Sequence, residues 1–131
     1  MTKTPGNLRY AKSHEWAQRL DNGNVRVGIT DHAQGQLGDM VFIELPEVGR
    51  QVAAGEECAV VESVKAASDV YAPVSGTVTG TNSTVADAPE TVNQAPYSDG
   101  WLFEIAPSNP GELDKLLDAH AYAAVAESES H

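Results

Sequence analysis

Cysteine, basic residues and long apolar segments are all scarce in this chain of 131 residues. The single cysteine, Cys58, excludes an internal disulfide and fits a reducing compartment, and we expect it to be a small buried side chain. No apolar segment approaches the length that spans a bilayer, and residues 1–7 lack an apolar signal core. We therefore expect a cytoplasmic bacterial protein, or a mitochondrial matrix protein only if a transit peptide has been removed.

Lysine and arginine number only 8 against 19 acidic residues, which gives a formal net charge of -11. This charge opposes binding to nucleic acids and to anionic membranes, and it favours partners with basic docking surfaces. Hydrophobic residues make up 41% of the chain, as in ordinary globular proteins. The length predicts one domain, which we place at residues 8–126 with flexible ends at 1–7 and 127–131.

Complete motifs for catalysis or metal binding are missing as well. The histidines follow no zinc-ligand spacing, and there is no nucleophile elbow, phosphate-binding glycine loop or dinucleotide fingerprint. The sequence therefore predicts neither a metal site nor a catalytic centre. His32 has two interpretations, either a surface or packing residue in a short helical turn or a contact to a partner or a bound group.

Short apolar segments separated by turn residues dominate the chain. The strand candidates are residues 25–29, 40–45, 58–61, 70–72, 76–79 and 101–105. Many short strands with proline and glycine between them are typical of an all-β sandwich or barrel. Thr30 is a suitable N-cap for a short helical turn that would end at Gly35 or Gly38.

The hydrophobic period changes near the C-terminus. Apolar residues recur there at helical spacing: Leu113, Leu116, Leu117, Ala121 and Ala124. Asn109 fits an N-cap, Pro110 the first helical position and Glu112 a capping box. These features predict a single C-terminal helix over about residues 110–125 that packs its leucines against the sheet.

Lys65 is the only basic residue between Gln51 and Asp114, and it lies among acidic and small side chains. Similar half-motifs at residues 46–55 and 72–80 flank it, which predicts two halves joined by a hairpin with Lys65 at an accessible tip. A lysine there could be acylated and carry a prosthetic group. A Schiff-base lysine would need a desolvated pocket or a neighbouring cation, and an exposed lysine without a function also fits the composition.

Residues 62–76 resemble the lipoylation signature of the glycine cleavage system H-protein family. Further blocks resemble the same family in the same order: Tyr10 with Ser13-His14-Glu15-Trp16, Gly28-Ile29-Thr30-Asp31-His32-Ala33-Gln34, Gly38-Asp39-Met40-Val41-Phe42, Leu45-Pro46-Glu47-Val48-Gly49, and Pro96-Tyr97 with Gly100-Trp101. The resemblance covers roughly Leu8 to Val125. Several ordered blocks are more specific than one lysine motif, because chance matches would have to coincide.

The resemblance implies a lipoyl-domain-like barrel-sandwich hybrid of two pseudo-symmetric halves, with short helical connectors and a C-terminal helix. It implies lipoic acid joined by an amide to Lys65. The attachment-motif context would consist of Glu62, Ser63, Val64 and Ala66. A cleft for the cationic aminomethyl arm would be lined by Ser13, Glu15 and Asp69, whose oxygens can accept charge-assisted hydrogen bonds.

The resemblance also implies a non-catalytic carrier. The carrier would take the aminomethyl group derived from glycine from a pyridoxal-phosphate decarboxylase, the P protein, to a folate-dependent aminomethyltransferase, the T protein. Dihydrolipoamide dehydrogenase, the L protein, would reoxidise it, and a lipoyl ligase or octanoyltransferase would attach the group. A second role as a lipoyl donor to other carriers stays open. The acidic residues Glu56, Glu57 and Glu62 could steer basic partners or simply maintain solubility.

Four alternatives remain beside this carrier. Biotin carriers flank their lysine with methionines, whereas Val64 and Ala66 stand here. A lipoyl domain of a 2-oxo acid dehydrogenase would lack the region around Trp16 and the C-terminal helix. An enzyme that uses Lys65 as a catalytic amine and an unmodified interaction module are the other two, and the covalent state of Lys65 separates them from a carrier.

Overall fold

Two antiparallel sheets form the body of the protein, which a computed structural model describes over residues 6–109 and 111–129. The larger sheet has the order β1 (Arg9–Tyr10), β2 (Glu15–Arg19), β3 (Val25–Ile29), β9 (Phe103–Pro107), β8 (Gly76–Thr81) and β5 (Gln51–Val52). The smaller sheet has the order β4 (Met40–Glu44), β6 (Glu57–Ser63) and β7 (Ala67–Tyr71). The predicted mainly β fold is confirmed.

Short helices connect the strands, and a longer one lies near the C-terminus. They are α1 (Asp31–Leu37), α2 (Ser83–Asp87), α3 (Glu90–Gln94), α4 (Gly111–Asp114) and α5 (Ala119–Glu129). The Thr30 side chain accepts a hydrogen bond from the amide of Ala33, as an N-cap should, and Gly38 ends α1 at a φ of 85°. Helices α2 and α3 are too short for a helical period to reveal them in the sequence.

Two apolar clusters hold these elements together. The main cluster fills the space between the sheets, and its fully buried members include Val27, Val61, Val78 and Phe103. Cys58 belongs to this cluster as predicted, and burial raises the pKa of its thiol to about 11. The second cluster packs β1 and β2 against α5 through Leu8, Tyr10, Trp16, Tyr122 and Ala126.

The predicted C-terminal helix is confirmed, but its predicted bounds of about 110–125 are wrong, because the chain forms α4 and α5 with a break between them. In the break, Leu117 exchanges two backbone hydrogen bonds of 2.8 Å with Tyr10. Its amide and carbonyl are therefore not available for helical hydrogen bonds. Helix α5 continues to Glu129, which places residues 127–129 of the predicted flexible tail in the helix. The predicted roles of Pro110 and of residues 1–5 and 130–131 lie outside the described residues.

The start of α4 also differs from the prediction. The Asn109 side chain accepts a hydrogen bond of 3.2 Å from the amide of Gly111, in keeping with its predicted capping role. The Glu112 carboxylate accepts instead from the amide and the hydroxyl of Ser75, at 2.8 Å and 3.2 Å. The predicted capping box is therefore wrong, since Glu112 binds a distant turn rather than its own helix.

The two half-motifs that flank Lys65 in the sequence lie side by side. The amide of Gly49 donates to the carbonyl of Val78 at 2.7 Å, and the amide of Val78 donates to the carbonyl of Arg50 at 2.8 Å. Ala72 makes a similar pair of bonds with Gly55 and Glu56. The β6–β7 hairpin connects these paired segments, so its turn projects from one end of the smaller sheet.

Candidate functional site

Lys65 lies at the tip of the β6–β7 hairpin with an exposed side chain. The strand ladder ends at the pair Glu62 and Ala67, so residues 63–66 form the turn. Val64 and Ala66, on either side of the lysine, are exposed as well. The predicted presentation of this lysine at an accessible tip agrees with its position in the structure.

Ser63 holds this turn in shape from a buried position. Its hydroxyl oxygen accepts hydrogen bonds from the amides of Lys65 and Ala66, at 3.3 Å and 3.1 Å, and donates to the carbonyl of Ala66 at 3.1 Å. Its own amide donates to the same carbonyl at 2.7 Å. One side chain thus braces the backbone on which Lys65 stands.

The turn is also tied to its neighbours. The amide of Val64 donates to the carbonyl of Asp39 at 3.0 Å, which anchors the tip to the segment before β4. The stem of Lys65 passes over Gly38, because a Cβ built there would lie 3.5 Å from the lysine Cε. Asn93 fixes the backbone of residues 38–40. Its amide nitrogen donates to the carbonyl of Gly38 at 2.8 Å, and its oxygen accepts from the amide of Met40 at 2.9 Å.

Replacing Ser63 with alanine is expected to lower the free energy of unfolding by about 1 kcal/mol and to loosen the tip, because two backbone amides lose their acceptor. Hydrogen exchange at the amides of Lys65 and Ala66 should become faster, while exchange in β8 stays unchanged. Ser68 is the matched control, since its hydroxyl makes only a 3.4 Å bond to the carbonyl of Asp69. Equal exchange rates in the Ser63→Ala and Ser68→Ala variants would contradict the bracing role.

Ser13 and Glu15 form a polar pair at the free edge of β7. The Ser13 hydroxyl donates to one carboxylate oxygen of Glu15, and the amide of Tyr71 donates to the other at 3.1 Å. Glu15 is only 1% exposed. Burial raises the pKa of this carboxyl to about 7, although the hydrogen bonds from Ser13 and Tyr71 act to lower it. This buried carboxyl is therefore poised to change its charge near neutral pH.

Asp69 lies apart from the Ser13–Glu15 pair. It is exposed on β7, opposite Val60, and it lines a shallow groove that also contains Glu44 and Arg50. Asp69 precedes Tyr71 by two residues on the same edge strand, a spacing of about 7 Å along the backbone. The structure thus joins two of the three predicted cleft residues and places the third along the strand from them. Of the attachment context, Glu62 is half-buried between Phe42 and Ala67.

The histidines near the Ser13–Glu15 pair take part in packing. His14, at a φ of 76°, shares a 2.7 Å hydrogen bond with the Tyr122 hydroxyl, which also lies 2.7 Å from the hydroxyl of Thr30. The rings of His14 and His32 are 4.9 Å apart, and His32 is 5% exposed. The packing interpretation of His32 therefore fits its environment better than a surface contact. This network attaches α5 beneath the Ser13–Glu15 pair.

Two features are absent from the part of the chain that the structure describes. Across residues 6–109 and 111–129, no three histidine, cysteine or acidic side chains form a group that could hold a metal ion. Over the same residues, no helix combines the length and the apolar character needed to cross a membrane.

Comparisons with known proteins agree on one family. The family model of the Glycine cleavage H-protein matches residues 8–129. The glycine cleavage system H protein of Salmonella arizonae is 57% identical over 129 residues, which cover 98% of this chain and 100% of that protein. That of Thiobacillus denitrificans is 61% identical over 127 residues, with 97% and 98% covered. A crystal structure of a glycine cleavage system H protein from Mycobacterium marinum has a TM-score of 0.84 at 44% identity, covering 92% of this chain and 96% of that one. These matches extend over almost the whole chain, which therefore belongs to the glycine cleavage H-protein family.

Proposed function

We propose that this protein is the lipoyl carrier of a glycine cleavage system, with lipoic acid joined by an amide to Lys65. The observation that carries the proposal is the exposed lysine at a braced hairpin tip in a chain of this family. Among the described residues Lys65 forms no ion pair, so its amine is open to acylation. Amide formation removes one positive charge and would change the formal net charge from -11 to -12.

The chain acts as a carrier rather than as an enzyme. A catalytic Schiff-base lysine needs a desolvated pocket or a neighbouring cation, and the exposed Lys65 has neither in its sequence neighbourhood of Glu62 and Asp69. The lipoyl dithiolane, when bound, supplies the disulfide that accepts the aminomethyl group. The fold contributes position, because the turn held by Ser63 presents the lysine and its stem passes over Gly38.

We further propose that Ser13 and Glu15 receive the cationic end of the loaded arm, with Asp69 as a second carboxylate along the same edge. Carboxylate and hydroxyl oxygens accept charge-assisted hydrogen bonds from an ammonium group. Because burial raises the pKa of Glu15 to about 7, a cation beside it would favour its ionised form near neutral pH. Glu15 would then lose its proton as the cation arrives.

The proposed partners follow from the family. They are the P protein, the T protein, the L protein and the lipoyl ligase or octanoyltransferase, in the cytoplasm of a bacterium. With 19 acidic against 8 basic residues, the chain favours partners that have basic docking surfaces. Donation of lipoyl groups to other carriers is a second role that the same lysine would serve.

Intact-mass measurement after expression in cells with active lipoate attachment tests this function. We expect the mass to rise by one lipoyl group, and the modified peptide to contain Lys65. Lys65→Arg should remain unmodified with an unchanged unfolding midpoint, because arginine keeps the charge but offers no comparable amine. Lys115→Arg is the matched control at another exposed lysine and should be modified normally.

Other masses would point to other functions. An unmodified wild-type protein in such cells would refute the carrier and favour an interaction module. Biotin on Lys65 would select a biotin carrier. Lipoylation of the Lys65→Arg variant would show that the group is attached at another position.

A further inference from the structure

Large hydrophobic side chains are exposed at one place in particular, the end of the protein that carries Lys65. Val41 is 57% exposed, Phe42 49% and Val64 70%. We call these three residues the tip patch. Val48 is also exposed, at 63%, but it lies in the loop beyond the opposite end of β4.

A β-bulge in β4 exposes two of the three tip-patch residues, Val41 and Phe42, and the third, Val64, lies in the hairpin turn. The register of β4 against β6 shifts between Met40 and Phe42, and the two successive residues Val41 and Phe42 both face solvent. A regular strand would turn one of them into the core, because side chains alternate between the faces. Burying such a side chain stabilises a fold, and the free protein forgoes part of that gain here. Bulges that redirect side chains are common next to functional sites.

The tip patch lies beside the base of Lys65, on the β4 side of the hairpin turn. Met40 stands opposite Ser63, Phe42 stands opposite Glu62, and the amide of Val64 binds the carbonyl of Asp39 at 3.0 Å. Opposed residues in an antiparallel ladder are about 5 Å apart. Phe42 is opposite Glu62, which directly precedes the turn, so Phe42 lies close to the hairpin turn. A protein that touches the hairpin turn from the β4 side would therefore meet this apolar surface.

Acidic side chains border the tip patch. Asp39 and Glu44 are exposed at the two ends of β4, and Glu62 is half-buried between them. Lys65 is the single lysine or arginine between Gln51 and Asp114, so this part of the chain offers one positive charge to a partner. An apolar centre with a negative rim is complementary to an apolar groove with a basic rim.

We infer that the tip patch is the docking surface for the enzyme that acylates Lys65. This inference rests on the proposed lipoyl attachment and names the surface that serves it. The length of the lysine side chain distinguishes the acylating enzyme from the other proposed partners. An acylating enzyme must act on an amine at the end of a four-carbon stem, so its surface has to touch the hairpin turn. Enzymes that act at the far end of a lipoyl chain can stay further from the turn and depend less on this patch.

Acylation kinetics of tip-patch variants test the inference. We expect kcat/KM for acylation by a purified lipoate-attaching enzyme, followed by intact mass, to fall at least tenfold in Phe42→Ser and in Val64→Ser, mainly through KM. Val48→Ser should behave like the wild type. All three positions are exposed, so the unfolding midpoints should change little. Reaction of Lys65 with a small amine-acylating reagent should be equal in all variants, which separates lost docking from a hidden lysine.

The charged rim has its own test. Wild-type acylation should slow as salt rises, and the double variant Asp39→Asn with Glu44→Gln should be slower at low salt and less sensitive to salt.

Wild-type kcat/KM in both tip-patch variants would overturn the inference while leaving lipoylation of Lys65 intact. A wild-type protein that is never acylated would instead refute the proposed function. An equal loss when pre-lipoylated variants react with the decarboxylase would overturn the assignment to the acylating enzyme.

Discussion

Replacing Gly76 with alanine is expected to lower the free energy of unfolding by about 3 kcal/mol, because the added methyl group has no space. A Cβ at this position would lie 2.1 Å from the carbonyl oxygen of Ala106 and 2.6 Å from Cγ2 of Ile105. Gly76 pairs with Val52 on one side and Pro107 on the other, so the strand cannot retreat without disturbing a ladder. The variant should unfold about 10 °C below the wild type.

Gly80 provides a matched control in the same strand. A Cβ there would meet its nearest neighbour, a carboxylate oxygen of Glu104, at 3.9 Å, which is ordinary contact. Gly80→Ala should leave the free energy of unfolding unchanged or raise it slightly, since alanine reduces the freedom of the unfolded chain. Urea unfolding of both variants gives the comparison. If Gly76→Ala were as stable as Gly80→Ala, the close approach of β8 and β9 would not be the reason for a glycine here.

Local signals made much of the fold predictable. Turn residues and alternating apolar side chains mark β3, and the cap at Thr30 and the glycine at Gly38 mark both ends of α1. Each of these features depends on neighbours a few residues away, which a sequence displays directly. The presentation of Lys65 was predictable for the same reason, because the turn around it is built from adjacent residues.

Long-range contacts account for what could not be predicted. The leucine period continues through Leu117, but its backbone pairs with Tyr10 and the helix breaks there. Glu112 has the spacing of a capping box, but its carboxylate accepts hydrogen bonds from Ser75 instead. The apolar run at 40–45 predicts a strand but contains no sign of the bulge that leaves both Val41 and Phe42 exposed. Asn93 gave no signal either, because its partners lie far away in the sequence.

Glu15→Gln is expected to stabilise the protein at and above neutral pH and to change its pH dependence. The pKa of this carboxyl rises from 4.5 to about 7 on folding, mainly through burial. The folded state therefore binds a proton that the unfolded state has released, and the free energy of unfolding falls as pH rises from 4.5 to 7. At 1.36 kcal/mol per pKa unit, this fall amounts to about 3 kcal/mol. Glutamine cannot ionise, so the free energy of unfolding of the variant should not show this fall.

The amide of glutamine suits the surroundings of Glu15. Its oxygen can accept from the amide of Tyr71, and its nitrogen can donate to the hydroxyl of Ser13, so both contacts survive. Urea unfolding at pH 4 and at pH 8 should show near-equal stabilities at pH 4 and a more stable variant at pH 8. Glu47→Gln removes an exposed charge and should show no such divergence.

A stabilised Glu15→Gln variant would show that the buried carboxyl of Glu15 costs stability, which is consistent with a role in binding a cation. A buried carboxylate without a cation lowers stability above pH 7, and a cation held beside it would offset that cost. The variant should therefore unfold at a higher temperature but lose its loaded aminomethyl group to hydrolysis faster than the wild type. The mass of the loaded protein, followed over time, measures this loss. Equal lifetimes in the two proteins would show that Glu15 is not the acceptor for the cationic group, even if the pH dependence of stability is as expected.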